Sequence, residues 1–146
     1  MDVAPGRDDE FNLGALEING FTLERLKAGK GLAYMMDLLK IDCLPRMGMW
    51  VCGHNVQFDI NFLHTAAKKS NYYLSMFLDT RLVLDTRSIL AFYKHLGLVN
   101  PPDCKLTSAC KYFGIEINAH DALSDIQATR RLYHILEDLA KEAIHV

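Results

Sequence analysis

Two aspartates, Asp59 and Asp125, each stand near the predicted start of a helix and are followed by apolar residues at helical spacing. The apolar positions three, four and seven residues after Asp59 are Phe62, Leu63 and Ala66. A carboxylate that faces a core costs on the order of several kcal/mol unless it is paired, hydrogen-bonded or bound to a metal ion. The alternative is an ordinary acid in a first turn, where the helix dipole favours a negative charge and one side stays wet.

The helix after Asp125 continues the pattern over the following turns. Its predicted core-facing stripe consists of Ala128, Thr129, Leu132, Ile135, Leu136 and Leu139, with Ala122 one turn before the aspartate. If the starts of the two helices meet at one edge of a sheet, the two carboxylates converge where open α/β proteins commonly bind ligands. Hard oxygen ligands around an open site suit Mg²⁺ or Mn²⁺ rather than zinc.

His120 lies five positions before Asp125, in a loop of turn-forming residues. Beside a metal-bound carboxylate, a histidine at this position is placed to take a proton from an attacking water. Taken alone, an exposed histidine is more often an ordinary surface residue. His54, the other histidine near these aspartates, is interpreted as a packing or supporting residue.

The elements that must position these residues alternate between short strands and helices. Strands are predicted at Met49–Cys52 and Arg81–Asp85, each a short apolar run bounded by turn residues. Helices are predicted after Thr22, over Gly31–Asp42, after Asn55, from Thr86 to about His95, from Leu106 to Phe113 with Gly114 as the stop, and from Asp121 to about Glu142. Thr22, Asn55 and Thr86 are the expected N-caps.

This alternation predicts an α/β layer structure with a parallel sheet. A parallel sheet of only two strands is unusually small. The fold is therefore predicted to lack the opening strands of its sheet.

Length and composition fit one globular domain. The chain has 146 residues, of which 50% are hydrophobic and 23% charged. The net charge of −2 argues against a strongly basic protein held on nucleic acid by its overall field, although a local patch of Lys and Arg would suffice for binding. The cysteines are scattered without a C-x-x-C pair, and no apolar run has the length of a signal peptide or a membrane span. These features favour an intracellular protein, cytoplasmic or in the nucleoid or nucleus.

Two segments carry a resemblance to a known family. Gly53–Asp59 (GHNVQFD) resembles the second motif of DnaQ-like 3′–5′ exonucleases, which have a ribonuclease H-like fold. His120–Asp125 (HDALSD) resembles the third motif in its histidine-bearing, DEDDh form. Leu84–Thr86 is similar to the family's strand-to-helix junction, Leu106–Gly114 to the short helix before the third motif, and Glu17–Thr22 to a segment between the first and second motifs. The resemblance spans roughly residues 4–139.

The resemblance implies a reaction and a set of roles. Family members hydrolyse DNA or RNA from the 3′ end and release nucleoside 5′-monophosphates, using two Mg²⁺ or Mn²⁺ ions held by four carboxylates. Asp59 and Asp125 would be metal ligands and His120 the general base, while Asn55 and Phe58 would shape the helix start and contact the substrate. The implied partner is a nucleic acid with a 3′ end, with a polymerase or a complementing chain as a further partner. DNA and RNA both stay open as substrates.

The first family motif, an Asp and a Glu two residues apart on an apolar strand, is not visible. Asp8-Asp9-Glu10 has the D-x-E spacing but lies in a polar segment after Pro5–Gly6, and acidic loop clusters are usually solvated surface. The chain is therefore predicted to be a single exonuclease-like domain over residues 1–146 that is incomplete at its N-terminus and has little activity alone. The alternative is a non-catalytic nucleic-acid-binding or interaction module derived from such an exonuclease.

Overall fold

The computed structural model describes residues 4, 14, 16, 20–44, 50–118 and 121–144. The chain divides into two compact units, which are described one at a time. Unit 1 comprises Met1–Met49 and Asp59–Arg81, and unit 2 comprises Trp50–Phe58 and Leu82–Val146. The expectation of one domain over residues 1–146 stays a prediction. No helix in the described ranges has both the length and the apolar character needed to cross a membrane.

Unit 1 is helical where it is described. Helix α1 (Leu23–Lys27) begins after Thr22, whose hydroxyl accepts a hydrogen bond from the backbone N–H of Arg25 at 3.1 Å, so the predicted cap is confirmed. Helix α2 spans Leu32–Cys43, close to its predicted bounds. Most of helix α3 (Val56–Lys69) and a single 3₁₀ turn (Leu74–Met76) complete the described elements of this unit. Its buried core is formed by Met36, Ala67, Leu74 and Phe77.

Unit 2 contains a two-stranded parallel sheet and three helices. Strand β1 (Val51–Gly53) pairs with strand β2 (Val83–Asp85), and Gly53 lies opposite Asp85 in the register. Three helices follow β2, namely α4 (Thr86–His95), α5 (Leu106–Phe113) and α6 (Ala122–Ile144). The mixed α/β class and the parallel pairing are confirmed, and the lack of opening strands remains untested.

The core of unit 2 lies between its three helices, where α6 packs against α4 and α5. It consists of Leu90, Val99, Ala109, Cys110, Ile115, Ala128, Leu132 and Leu136. The predicted stripe of α6 is thus confirmed at Ala128, Leu132 and Leu136, with Ile135 and Leu139 packed against the core. The stripe does not extend back to Ala122, which is exposed at the start of the helix.

Several element ends differ from their predicted positions. Strand β1 reaches Gly53, one residue beyond the predicted end, because Gly53 still pairs with Asp85. The N-cap of α4 is Asp85 and not Thr86, because the Asp85 side chain accepts from the backbone N–H of Arg87. Gly114 ends α5 as predicted, with a left-handed φ of 69° that glycine adopts without steric cost.

Candidate active site

Asp125 lies in the first turn of α6, directly above the core of unit 2. Asp121 begins this turn, since its side chain accepts from the N–H of Ser124 at 2.7 Å and its carbonyl accepts from the N–H of Asp125 at 2.9 Å. The Asp125 side chain is half-buried, and in the described part of the chain no hydrogen bond or ion pair involves its carboxylate. Burial raises the pKa of the Cys110 thiol in the core of unit 2, and the negative charge of Asp125 raises it further.

Asp59 lies in the first turn of α3, but it does not face the core as predicted. The buried positions of the helix are Val56, Ile60 and Ala67, whereas Asp59 is exposed and Phe62 is 64% exposed. Of the predicted stripe, Leu63 and Ala66 pack against the core as partly buried residues, whereas Phe62 does not. Desolvation still raises the pKa of Asp59, and a hydrogen bond from its own backbone N–H partly lowers it. A carboxylate in this state gains from a nearby cation.

Asn55 and Phe58, the predicted substrate-contacting residues, are both exposed at the start of α3. Asn55 has a left-handed backbone with φ of 64°, which differs from the extended conformation of a usual N-cap. The predicted capping role of Asn55 stays a prediction. Its side-chain oxygen accepts a hydrogen bond from Nη1 of Arg87 at 3.3 Å. The ring of Phe58 is 59% exposed, as a group that contacts substrate must be.

The predicted general base, His120, lies outside the described residues, as does the Asp8-Asp9-Glu10 segment. The described residues on either side of His120 are joined by hydrogen bonds. The N–H of Asn118 donates to the hydroxyl of Ser124 at 2.8 Å, and the N–H of Asp121 donates to the carbonyl of Asn118 at 3.1 Å. Its role stays a prediction.

The Asp85 carboxylate connects the ends of the two strands to the helices that follow them. Its Oδ1 accepts from the backbone N–H of Asn55 at 2.8 Å and from that of Arg87 at 3.0 Å. Its Oδ2 accepts from the hydroxyl of Ser88 at 3.3 Å. Sequence reasoning assigned Asp85 no role. The available signal was an aspartate at a strand end immediately before a helix, a position typical of an N-cap.

His54 joins three segments of unit 2. Its Nε2 lies 3.0 Å from the carbonyl oxygen of Cys104, and its Nδ1 lies 3.0 Å from the hydroxyl of Thr86. The carbonyl can only accept, so Nε2 carries a hydrogen, and in the neutral ring Nδ1 is an acceptor. The buried Thr86 hydroxyl also lies 3.1 Å from the carbonyl of Gly53. Its single hydrogen can be donated either to this carbonyl or to Nδ1 of His54. Burial lowers the pKa of His54, which supports the interpretation of a packing residue.

The chemistry of the two aspartates suits a hard divalent cation, since carboxylate oxygens are the ligands that Mg²⁺ and Mn²⁺ prefer. Asp59 belongs to unit 1 and Asp125 to unit 2. Within the residues that the structure describes, no group of three or more His, Cys, Asp and Glu side chains is placed to hold a metal ion. The assignment of Asp59 and Asp125 as metal ligands therefore stays a prediction.

Comparison with known proteins decides the family. A family model described as an exonuclease matches residues 3–133, almost nine-tenths of the chain, and includes both aspartate motifs. The chain belongs to the exonuclease family. This DnaQ-like family has a ribonuclease H-like fold, with which the mixed α/β structure is consistent. Membership implies a hydrolase that acts on nucleic acid, in a family that generally uses divalent metal ions. No curated protein and no solved structure matches the chain.

Proposed function

We propose that this exonuclease domain hydrolyses DNA or RNA from the 3′ end and releases nucleoside 5′-monophosphates. Asp125 carries the proposal: a half-buried carboxylate at a helix start whose side chain has no partner in the described residues. A carboxylate in such a place is costly unless a cation or hydrogen-bond donor joins it. A divalent ion at Asp125 would supply that charge.

Each residue has a defined part in this reaction. Asp59 and Asp125 would hold Mg²⁺ or Mn²⁺ through their ionised oxygens, and His120 would take a proton from the attacking water. When bound, the two ions of a complete site would stabilise the attacking and leaving oxygens of an in-line displacement. Asn55 and Phe58 lie exposed at the start of α3, where they contact the terminal nucleotide.

Two aspartates make an incomplete ligand set. Mg²⁺ keeps several of its waters and needs near-octahedral geometry, so two carboxylates bind it weakly. We therefore expect the isolated 146-residue chain to have little nuclease activity. A D-x-E pair supplied by a partner such as a polymerase subunit or complementing chain would raise the activity.

Directional degradation tests the proposal. Oligonucleotides labelled at the 5′ end, with a free or a blocked 3′ end, are incubated with the chain at high concentration in Mn²⁺ or in EDTA. The expected result is a slow ladder from the free 3′ end that requires Mn²⁺ and is lost in Asp125→Asn, Asp59→Asn and His120→Ala. The matched control is Asp138→Asn, which changes an exposed aspartate of the same helix and should leave the ladder unchanged.

A binding measurement separates the two candidate functions. Fluorescence anisotropy with a labelled single strand should show binding that Mn²⁺ strengthens and that Asp125→Asn weakens. Shortening from the 5′ end, or an undiminished ladder in Asp125→Asn, would contradict the proposed exonuclease. Binding that is independent of metal and of Asp125, without degradation, would instead identify a non-catalytic nucleic-acid-binding module.

A further inference from the structure

We propose that Asp85 is a positioning residue for the metal site, because its carboxylate fixes the turn from which α3 begins. Asp59 lies in the first turn of that helix. The inference rests on the proposed function, since it takes Asp59 to be a metal ligand. Asp85 itself touches neither the metal nor the substrate in this scheme, and it acts through Asn55.

The turn between β1 and α3 is short and depends on an uncommon backbone conformation. Only His54 and Asn55 separate the last residue of the strand from the first residue of the helix. Asn55 has a φ of 64°, a left-handed conformation that asparagine tolerates but does not prefer. The hydrogen bond of 2.8 Å from its N–H to Asp85 holds this residue on one side. A second hydrogen bond, from Nη1 of Arg87 to the side-chain oxygen of Asn55, also holds this residue.

Close packing restricts the backbone conformations that the turn can adopt. A Cβ atom added to Gly53 would lie 2.9 Å from the Cβ of Val56, so the strand end and the helix start already touch. Gly53 is also paired with Asp85 across the sheet, which places the carboxylate next to the turn. A rotation at Asn55 would therefore change the direction of the helix axis. Asp59 follows within one helical turn, where the hydrogen-bonded backbone transmits the change.

The hydrogen bonds of Asp85 argue that it supports the site and is not itself a ligand. Its Oδ1 is used by two backbone N–H groups, and its Oδ2 is used by the hydroxyl of Ser88. One of these bonds, from Arg87, is an ordinary helix cap. A residue that served only as the cap of α4 would affect the stability of the protein but not the metal affinity of the folded state. The bond to Asn55 distinguishes the two roles.

Metal affinity of the folded chain tests the inference. Free Mn²⁺ is measured by electron paramagnetic resonance during titration of the wild type, Asp85→Ala and Asp85→Asn. Loss of a residue that orients a ligand commonly weakens metal binding by about 10- to 100-fold, and we expect a loss in this range for Asp85→Ala. Asp85→Asn keeps an acceptor oxygen for the N–H of Asn55 and should recover part of that loss, remaining about 3-fold or more weaker than the wild type.

The matched control is Thr22→Ala, which removes a hydrogen bond of the same capping type at α1. It should lower the melting temperature and leave the Mn²⁺ affinity unchanged. If Asp59→Asn and Asp125→Asn bind Mn²⁺ as the wild type does, the proposed function itself fails. If those variants lose binding while Asp85→Ala keeps wild-type affinity, Asp85 is only a helix cap and the inference is overturned. Should Asp85→Ala not fold, wild-type affinity in Asp85→Asn overturns it equally.

Discussion

At the scale of single residues, the surroundings of the Asp59 carboxylate disfavour its charged form. Desolvation raises its pKa above the usual value, so the folded state binds the proton more tightly than the unfolded chain does. The charged side chain therefore destabilises the fold at neutral pH, and this penalty disappears as the pH falls below the unfolded pKa. Such a penalty is expected where a group is kept for binding a cation.

Asp59→Asn should therefore raise the melting temperature at pH 7 in EDTA, and the gain should vanish in acid. Thermal unfolding followed by circular dichroism at several pH values measures this. Asp138→Asn is the control, since Asp138 is an exposed aspartate with a surface ion pair to Lys141 at 3.7 Å and should give no gain. A lower melting temperature for Asp59→Asn at pH 7 would contradict the prediction.

The half-buried His54 predicts a loss of stability in weak acid. Burial lowers its pKa below 6.5, more than the Cys104 carbonyl and Asp85 raise it. As the pH falls, the unfolded chain therefore binds a proton at this histidine before the folded chain does. The contribution of His54 to stability is complete above the unfolded pKa and declines as the pH falls from there toward the folded pKa. Urea unfolding in this window should show the decline in the wild type and a smaller decline in His54→Gln. His64→Gln, which changes an exposed histidine, should follow the wild-type curve.

At the scale of elements, the step from β1 into α3 requires glycine at position 53. An added Cβ would meet both the Cβ and the Cγ2 of Val56 at 2.9 Å, and a β-branched side chain cannot move away without the backbone. Gly53→Ala should lower the free energy of unfolding by about 1–3 kcal/mol, the usual cost of overpacking. Gly31→Ala is the control, because a Cβ there meets nothing within 4 Å. An unchanged unfolding midpoint in Gly53→Ala would refute this account of the turn.

Helix α6 is held by its buried leucines and not by its charged face. Leu132 is fully buried where α6 packs against α4 and α5. Leu123, also on α6, is 65% exposed. Leu132→Ala should lower the free energy of unfolding by about 2–5 kcal/mol, since it removes apolar contacts and leaves a cavity. Leu123→Ala should change it by less than about 0.5 kcal/mol. Equal effects of the two substitutions in urea unfolding would show that the packing of α6 is misassigned.

At the scale of the whole molecule, the net charge of −2 limits how nucleic acid is bound. Without a strong positive field, affinity must come from a few local phosphate contacts and from bound metal. Each phosphate contact to a single strand contributes a slope of about −0.7 to the dependence of log K on log salt, so we expect a total slope of about −1 to −3. Fluorescence anisotropy over a range of KCl concentrations measures it. A slope of about −6 or steeper would indicate an extended basic surface.

The sequence by itself determined the elements and the family of this protein. Helical periodicity placed α2, α4, α5 and α6 close to their observed bounds, Thr22 was recognised as a cap, and the parallel pairing followed from strand-helix alternation. The order and spacing of the two aspartate motifs gave the family, which the match over residues 3–133 confirmed. These features depend on neighbours within a few residues along the chain, so the local pattern contains them.

Only the tertiary structure decided which side chains meet across long separations. The bond between Asn55 and Asp85 joins residues 30 positions apart, and the bond between His54 and Cys104 joins residues 50 apart. The first exists because β1 and β2 pair in one register, which no local pattern specifies. The same holds for Asp59 and Phe62, which are exposed although they were predicted to face the core with Leu63 and Ala66, since burial depends on which neighbours cover the helix. Asp125 lies at a position that the sequence could identify, but its half-burial and the lack of a hydrogen-bond partner for its carboxylate among the described residues became visible only in the fold.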